Sequence, residues 1–345
     1  MGKSIGFGGL VLILSACGGG VDTTPAPSDP LPPATQKPGD QGLYIPAKAT
    51  VPDRVAEGVG TPSALAMTAD RVVFTTHDTV VSGERVAAGA LFVADKRVGP
   101  ALLVDVDRQG ASFDALTTDG TTAFVATSDG RLLATPVAGG TAATIATLAA
   151  PAVTLTTAGN YVYYATNAGG IARVAKTGGA TEALATMRGQ GTIRGLEADD
   201  VAVYVATSAA EEMPAGIVRV ALAGGEPTVL SSGTEPCAMV RNGRSLFWTS
   251  PMAKPSSGAV LKLSLDGGSV ATVASGAFAA CAIAADEDSL YFATTGLGLM
   301  RAPIAGGDPV AIAQASKALS QPGAVAVDGS HVYWLTESAV LRLAK

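Results

Sequence analysis

Two histidines, three cysteines and a charged fraction of 15% are very little for a chain of 345 residues. The histidines, His77 and His331, fall in loops of different kind. The repeat derived below puts those loops on opposite faces, which leaves no His-pair metal site and no Ser-His-Asp arrangement. Helical periodicity is missing too, so no glycine-rich phosphate loop has a helix to open. No Asp-x-Asp-x-Asp-Gly run is present, which argues against a calcium loop. A net charge of −6 and a pI near 5 argue against nucleic acid as a partner. No segment after the N-terminus is long and apolar enough to cross a membrane. No cofactor and no metal are expected.

The N-terminus is a separate matter. Lys3 supplies a basic start, and Ile5–Leu14 is an apolar run too short for a permanent span. It closes on Leu14-Ser15-Ala16-Cys17. This resembles the lipobox of bacterial lipoproteins, and the resemblance implies cleavage before Cys17 and acylation of that residue. The competing reading is an ordinary secretory peptide with a chance cysteine. Several acyl chains on one residue would anchor the chain stably, because each buried methylene contributes about 0.8 kcal/mol. Gly18, where the resemblance places a sorting residue, implies the outer membrane rather than the inner. Residues 18–41, rich in Pro, Gly and small polar residues and without aromatics, cannot bury enough apolar surface to order themselves. The expected division is residues 1–16 as signal peptide, 17–42 as lipidated cysteine and tether, and 43–345 as one folded body.

What the chain has in abundance is glycine, 42 residues of it, arranged in a repeat. Phrases such as "YVYYATNAGGIARVAKTGG" (161–179) and "SLYFATTGLGLMRAPIAGG" (289–307) recur. Aligned on their central aromatic, they place Phe124, Tyr163, Tyr204, Phe247, Tyr291 and Tyr333 at spacings of 39, 41, 43, 44 and 42. "RVVFTT" puts Val73 and Phe74 in the same role. A period near forty with four short strands predicts a β-propeller blade, and seven phrases predict seven blades. Gly-Gly pairs at 139–140, 178–179, 224–225, 267–268 and 306–307 mark the turn from third to outer strand. Asp119, Asp199, Asn242, Asp286 and Asp328, each five residues before the aligned aromatic, are read as turn makers.

The last phrase stops at Lys345 after three strands. "RVAEGVGTPSALA" (54–66) aligns without a gap to "TVASGAFAACAIA" (272–284), which joins one blade's outer strand to the next blade's inner one. Residues near 50–57 should therefore complete the seventh blade and close the ring, removing an exposed edge. Inner strands carry a large column (Leu65, Leu116, Leu155, Leu196, Met239, Ile283, Val325) beside a small one (Ala64, Ala115, Thr154, Gly195, Ala238, Ala282, Ala324). "LFWTS", "VYYAT", "LYFAT" and "VYWLT" resemble the YWTD-type propeller repeat, and more loosely the NHL type. The resemblance implies the fold and carries over no catalytic residue. The chain departs from the YWTD type in lacking Asp at the fourth position and in counting seven repeats rather than six.

Insertions suggest where function sits. They fall between second and third strands, at "HDTVVSGERVAAG" (77–89), "SAAEEMPAG" (208–216) and "SPMAKPSSG" (250–258). Insertions confined to one kind of loop map to one face. The rim of that face would collect His77, Asp78, Arg108, Asp114, Arg188, Arg194, Glu211, Glu212, Glu235 and Lys254 around the channel mouth. Cys237 and Cys281, each ten residues before its aligned aromatic in neighbouring blades, are expected to form a disulfide in an oxidising compartment; the alternative is two buried free thiols. A cation five residues before Gly-Gly recurs as Arg173, Arg219, Lys262 and Arg301, with Arg342 equivalent, and is read as a structural contact or a solvated sheet face. The functional expectation is a monomeric binding or scaffold propeller, held to a membrane by its lipid, that presents this rim to an envelope protein or a surface glycan. The alternative is a lyase or hydrolase acting on an extracytoplasmic small molecule or glycan, for which His77-Asp78 is the one usable pair.

Overall fold

Glycine pairs turn the chain as the repeat requires. Both members of all five Gly-Gly pairs have positive φ, from 83° to 147°, between a third strand and the outer strand that follows. The computed structural model describes residues 52–81, 84–86, 89–96, 101–107, 109–187, 191–209, 215–251, 258–276, 278–294, 298–313 and 323–345. No helix occurs among them. Their strands make seven four-stranded antiparallel sheets and one two-stranded hairpin.

From inner to outer strand, blade one comprises Pro62–Met67, Arg71–Thr76, Ala90–Asp95 and Leu102–Val106. Blade two follows with Phe113–Thr118, Thr122–Thr127, Arg131–Pro136 and Ala143–Thr147, and blade three with Ala152–Ala158, Tyr161–Thr166, Gly170–Ala175 and Glu182–Thr186. Blade four is Ile193–Ala198, Ala202–Thr207, Gly216–Ala221 and Thr228–Ser232; blade five is Ala238–Asn242, Ser245–Pro251, Gly258–Ser264 and Ala271–Gly276. Blade six runs Ala280–Ala285, Ser289–Thr294, Gly298–Pro303 and Val310–Ala313. Blade seven takes Val325–Val327, His331–Leu335 and Ala339–Ala344 from the C-terminal end, and its outer strand is Asp53–Glu57. Ring closure therefore follows the expected route. Val55 and Ala56 are buried in the closing strand, and Asp53, opposite Arg342, accepts from its guanidinium at 3.1 Å.

Packing between blades is regular. Seven apolar clusters lie one at each blade-to-blade interface, including that between blades seven and one. Each aligned aromatic enters the cluster shared with the following blade: Tyr163 with blade four, Tyr204 with blade five, Tyr333 with blade one. Each large inner-strand residue enters the cluster shared with the preceding blade, as Leu196, Ile283 and Leu155 do. In blade one the aligned role belongs to Val73, which faces blade two, whereas Phe74 faces blade seven. The small column is tightest at Gly195, where a Cβ would stand 3.1 Å from the Cβ of Met239 in blade five. Burying such side chains contributes roughly 1.5–3 kcal/mol each.

The recurrent cations are structural contacts. Arg173, Arg219, Lys262, Arg301 and Arg342 stand directly opposite Tyr163, Tyr204, Phe247, Tyr291 and Tyr333 in the strand register. Lys262 lies over the Phe247 ring at 5.4 Å and Arg301 over the Tyr291 ring at 5.9 Å.

Candidate functional site

Five of the seven inner strands break register at the same position. The pairing skips between Pro62 and Ala64, Phe113 and Ala115, Ala152 and Thr154, Ile193 and Gly195, and Ala280 and Ala282. The residues left out are Ser63, Asp114, Val153, Arg194 and Cys281. Cys237 and Gly323 hold the equivalent places just before the inner strands of blades five and seven, where their amides donate to Thr249 and Leu335. A bulge re-aims the side chain of the extra residue. Here it does so in five blades, and all but Ser63 of the seven residues at this position line a single cavity on the ring axis.

That cavity has a volume of ≈ 260 Å³. Below the bulged ring, its wall is the large and small columns of the inner strands. One further charged group lies deeper, Glu197 on the blade-four inner strand. Burial pushes its carboxyl up to about 7, against the lowering influence of the Arg241 backbone N–H and the Arg241 charge.

At the mouth the two charged ring residues differ in their surroundings. Asp114 is half-buried, and desolvation raises its pKa, with the nearby Asp129 carboxylate adding to the shift. Ser112 Oγ donates to Asp114 at 2.6 Å and His77 is close enough for its charge to be felt; both act to lower it. Arg194, two blades away with Val153 between them in the ring, makes no hydrogen bond or ion pair with any of the described residues. The charge of Glu197 couples instead to Arg241.

The other expected rim residues divide. His77 is exposed just after the second strand of blade one, while His331 opens the second strand of blade seven at the opposite end of the sheet, so they do lie on opposite faces. Asp78 fastens a loop: its Oδ1 accepts from the Thr61 amide at 2.8 Å, beneath the hairpin Thr79–Val81 and Glu84–Val86 that the blade-one insertion forms. Gly60 has φ +106° there, and a Cβ would stand 2.2 Å from the Asp78 carbonyl oxygen. Glu235 is exposed in the connection to the blade-five inner strand. Cys237 and Cys281 are joined by a disulfide, with Cα atoms 4.9 Å apart, and it forms part of the cavity wall. Cys17, Arg108, Arg188, Glu211, Glu212 and Lys254 lie outside the described residues.

Sequence reasoning passed over three groups. Glu197 was visible as the one acid in a column otherwise made of Ala66, Thr117, Thr156, Val240, Ala284 and Ala326. Asp107 and Arg131 carried no such signal. Arg131 Nη2 donates to the buried Asp107 at 2.8 Å and its Nε to Asp129 at 2.8 Å, which ties the connection into blade two to that blade's second loop.

The opposite face is built differently. Asp119, Asp199, Asp286 and Asp328 each accept two backbone N–H groups of their own turn. Three of them also accept from the aligned tyrosine hydroxyl, Tyr204, Tyr291 or Tyr333. Lys176 reaches back from blade three to Asp119 at 3.2 Å, Lys96 from blade one to Asp328 at 2.9 Å, and Lys345 from blade seven to Asp286. Each lysine is the residue following a third strand, a place held in the other four blades by Val137, Leu222, Leu265 and Ile304, which pack into the clusters. Desolvation is the largest single influence on Asp119 and opposes ionisation. Hydrogen bonds from Thr122, Thr121 and Lys176 together outweigh it and bring the carboxyl to about 2. Asp328 is held well below the usual range in the same way, by the Ser330 and His331 amides and Lys96 against its desolvation. Asn242 departs from the turn-making role: Gly243, at φ 55°, makes that hairpin, and the Asn242 amide donates instead to the Asp286 carbonyl of blade six at 2.6 Å.

No protein-family profile matches the chain, and no curated protein does. Solved structures share its fold. The extracellular domain of BT4673, from a hybrid two-component system of B. thetaiotaomicron, is 12% identical with a TM-score of 0.63 over 84% of this chain. The chain spans 39% of that longer one. YCF48 bound to D1 peptide is 11% identical with a TM-score of 0.62, over 88% of this chain and 97% of that one. A chain of the mitotic checkpoint complex is 13% identical with a TM-score of 0.64, over 94% and 100%. At such identities the likeness is one of fold.

Proposed function

We propose that the protein is an extracytoplasmic binding propeller, tethered through acylated Cys17 to the outer membrane, which presents its bulge-bearing face to an envelope protein or surface glycan. One observation carries this reading. The blade-one insertion, the register-breaking ring and the cavity mouth share a face, whereas on the other face Asp119, Asp286 and Asp328 are engaged in turns and inter-blade ion pairs. The extracellular setting of the BT4673 domain agrees with an extracytoplasmic place for this one, and a disulfide suits such a compartment.

The test is crosslinking of the intact chain in its native envelope, beside a variant in which residues 79–86 are replaced by Gly-Gly. A stoichiometric partner lost from the variant establishes the reading, and equal capture by both overturns the assignment of the face. Cys17→Ser separates the anchor from the fold: the protein should leave the membrane fraction while its disulfide and thermal unfolding stay unchanged. The alternative, a lyase or hydrolase, is favoured by the electrostatic reach of His77 to Asp114. It requires a turnover that His77→Ala abolishes.

A further inference from the structure

A guanidinium that lines a cavity without a hydrogen bond or ion pair keeps its donors for an anion. Arg194 is in that position among the described residues. Elsewhere half-buried cations have anionic partners, as Arg131 has two aspartates, Arg173 has Glu182 and Arg342 has Asp53, or rest on rings and neutral oxygens, as Lys262 does on Phe247 and Arg301 on Ser289. Arg194 has neither kind of contact among the described residues, and the mouth of its cavity also carries a half-buried carboxylate, Asp114, whose one hydrogen bond from a described residue is that of Ser112. Carboxylates accept up to about four hydrogen bonds, so Asp114 retains capacity facing the cavity. Between these opposite charges the ring holds Val153, and one step deeper comes the apolar large column.

We propose that the channel mouth binds a small amphoteric molecule of the amino-acid class, its carboxylate on Arg194, its ammonium on Asp114, and an apolar side chain directed at the large column. Three features select this class. The two charges at the mouth are of opposite sign, Glu197 lying deeper with Arg241 as its partner, so a simple anion would leave Asp114 unmatched and a simple cation would leave Arg194 unmatched. The planar guanidinium suits a carboxylate, which it grips with two parallel hydrogen bonds. The volume of ≈ 260 Å³ falls below the roughly 300–1,000 Å³ of pockets that hold drug-sized ligands, and suits a molecule of a single residue. The disulfide between blades five and six holds the far wall of the same ring, so the mouth keeps its shape when empty. This site depends on neither the lipid nor the partner proposed above.

Titration calorimetry of the full-length chain in detergent tests it, with the twenty free amino acids and their N-acetyl and C-amide derivatives as probes. Apolar free amino acids should bind, and either blocking group should weaken them by about tenfold or more. Arg194→Gln should abolish the discrimination between free acid and amide while Arg194→Lys keeps part of it. Asp114→Asn should abolish the discrimination between free and acetylated amine. Circular dichroism and thermal unfolding of each variant establish that it is folded. The proposal is overturned if no probe binds at about 10 mM. It is equally overturned if blocked and free forms bind alike, or if either discrimination survives in its variant. Loss of ligand binding with partner capture intact would leave the scaffold reading standing alone.

Discussion

The two faces of the propeller use carboxylates in opposite ways. On the turn face, Asp119, Asp199, Asp286 and Asp328 are held below the usual carboxylate range by backbone amides and, for three of them, a lysine from the next blade. On the channel side, Asp114 and Glu197 are pushed up by burial that their few hydrogen bonds do not offset. The difference separates groups that stabilise the fold from groups kept at its expense. A satisfied carboxylate strengthens the folded state, and an unsatisfied one weakens it. What secures the mouth instead is covalent, the Cys237–Cys281 bridge.

The comparison can be broken most forcefully at that bridge. Replacing both cysteines with alanine removes a crosslink spanning 44 residues, and the loop entropy freed in the unfolded chain corresponds to about 4 kcal/mol. Urea unfolding should register that loss, and a reducing agent should reproduce it in the wild type alone. Unchanged stability would mean that apolar packing between blades five and six already suffices.

Next in size is Glu197→Gln, a stabilising change of about 2 kcal/mol at pH 8. The sign follows from the direction of the shift. A carboxyl at about 7 in the folded chain and near 4.5 when unfolded costs nothing at pH 4, where both states are protonated. The cost grows as pH rises toward 7 and is complete above it. The two proteins should therefore coincide at pH 4 and diverge by pH 8, and a difference that does not vary with pH would contradict the assignment.

On the turn face the sign reverses. Asp328→Asn loses the Lys96 ion pair across the ring closure and should cost about 1–2 kcal/mol at pH 7. Depressed carboxyls contribute stability above their unfolded pKa and lose it as pH falls through the folded one. For Asp119, at about 2, that window runs from about pH 4 downward, so Asp119→Asn and the wild type should converge in acid. The smallest expected effect sharpens the contrast. Arg194→Gln should shift stability by less than about 0.5 kcal/mol, because no described residue depends on its guanidinium. A loss of several kcal/mol would place Arg194 with the structural ions and remove it from the binding site.

Local signals made the ring readable before the structure was known. Gly-Gly needs positive φ, an aromatic every forty residues needs a neighbour to cover it, and a final phrase one strand short needs another strand to pair with. These are properties of chain geometry and burial, and the Gly-Gly pair and the aromatic phrase recur from blade to blade, so each copy checks the others. The disulfide was readable for the same reason, since equal positions in adjacent blades must come close near the axis. The site was readable only as a face. Arg194 and Asp114 were both named for the rim, but nothing in the sequence marks a bulge, because the extra residue is absorbed by hydrogen-bond register rather than by residue type. Nor could it foresee that Asp78 would serve a loop amide, or that Glu197 would lose its hydration.

The sequence by itself determined the seven-blade count, the route of closure and the face that carries insertions, because each follows from spacing along one chain. The tertiary structure alone decided which charges are matched and which stand unmatched in the channel. Desolvation and pairing depend on neighbours brought together from different blades, and that proximity exists only once the ring has closed.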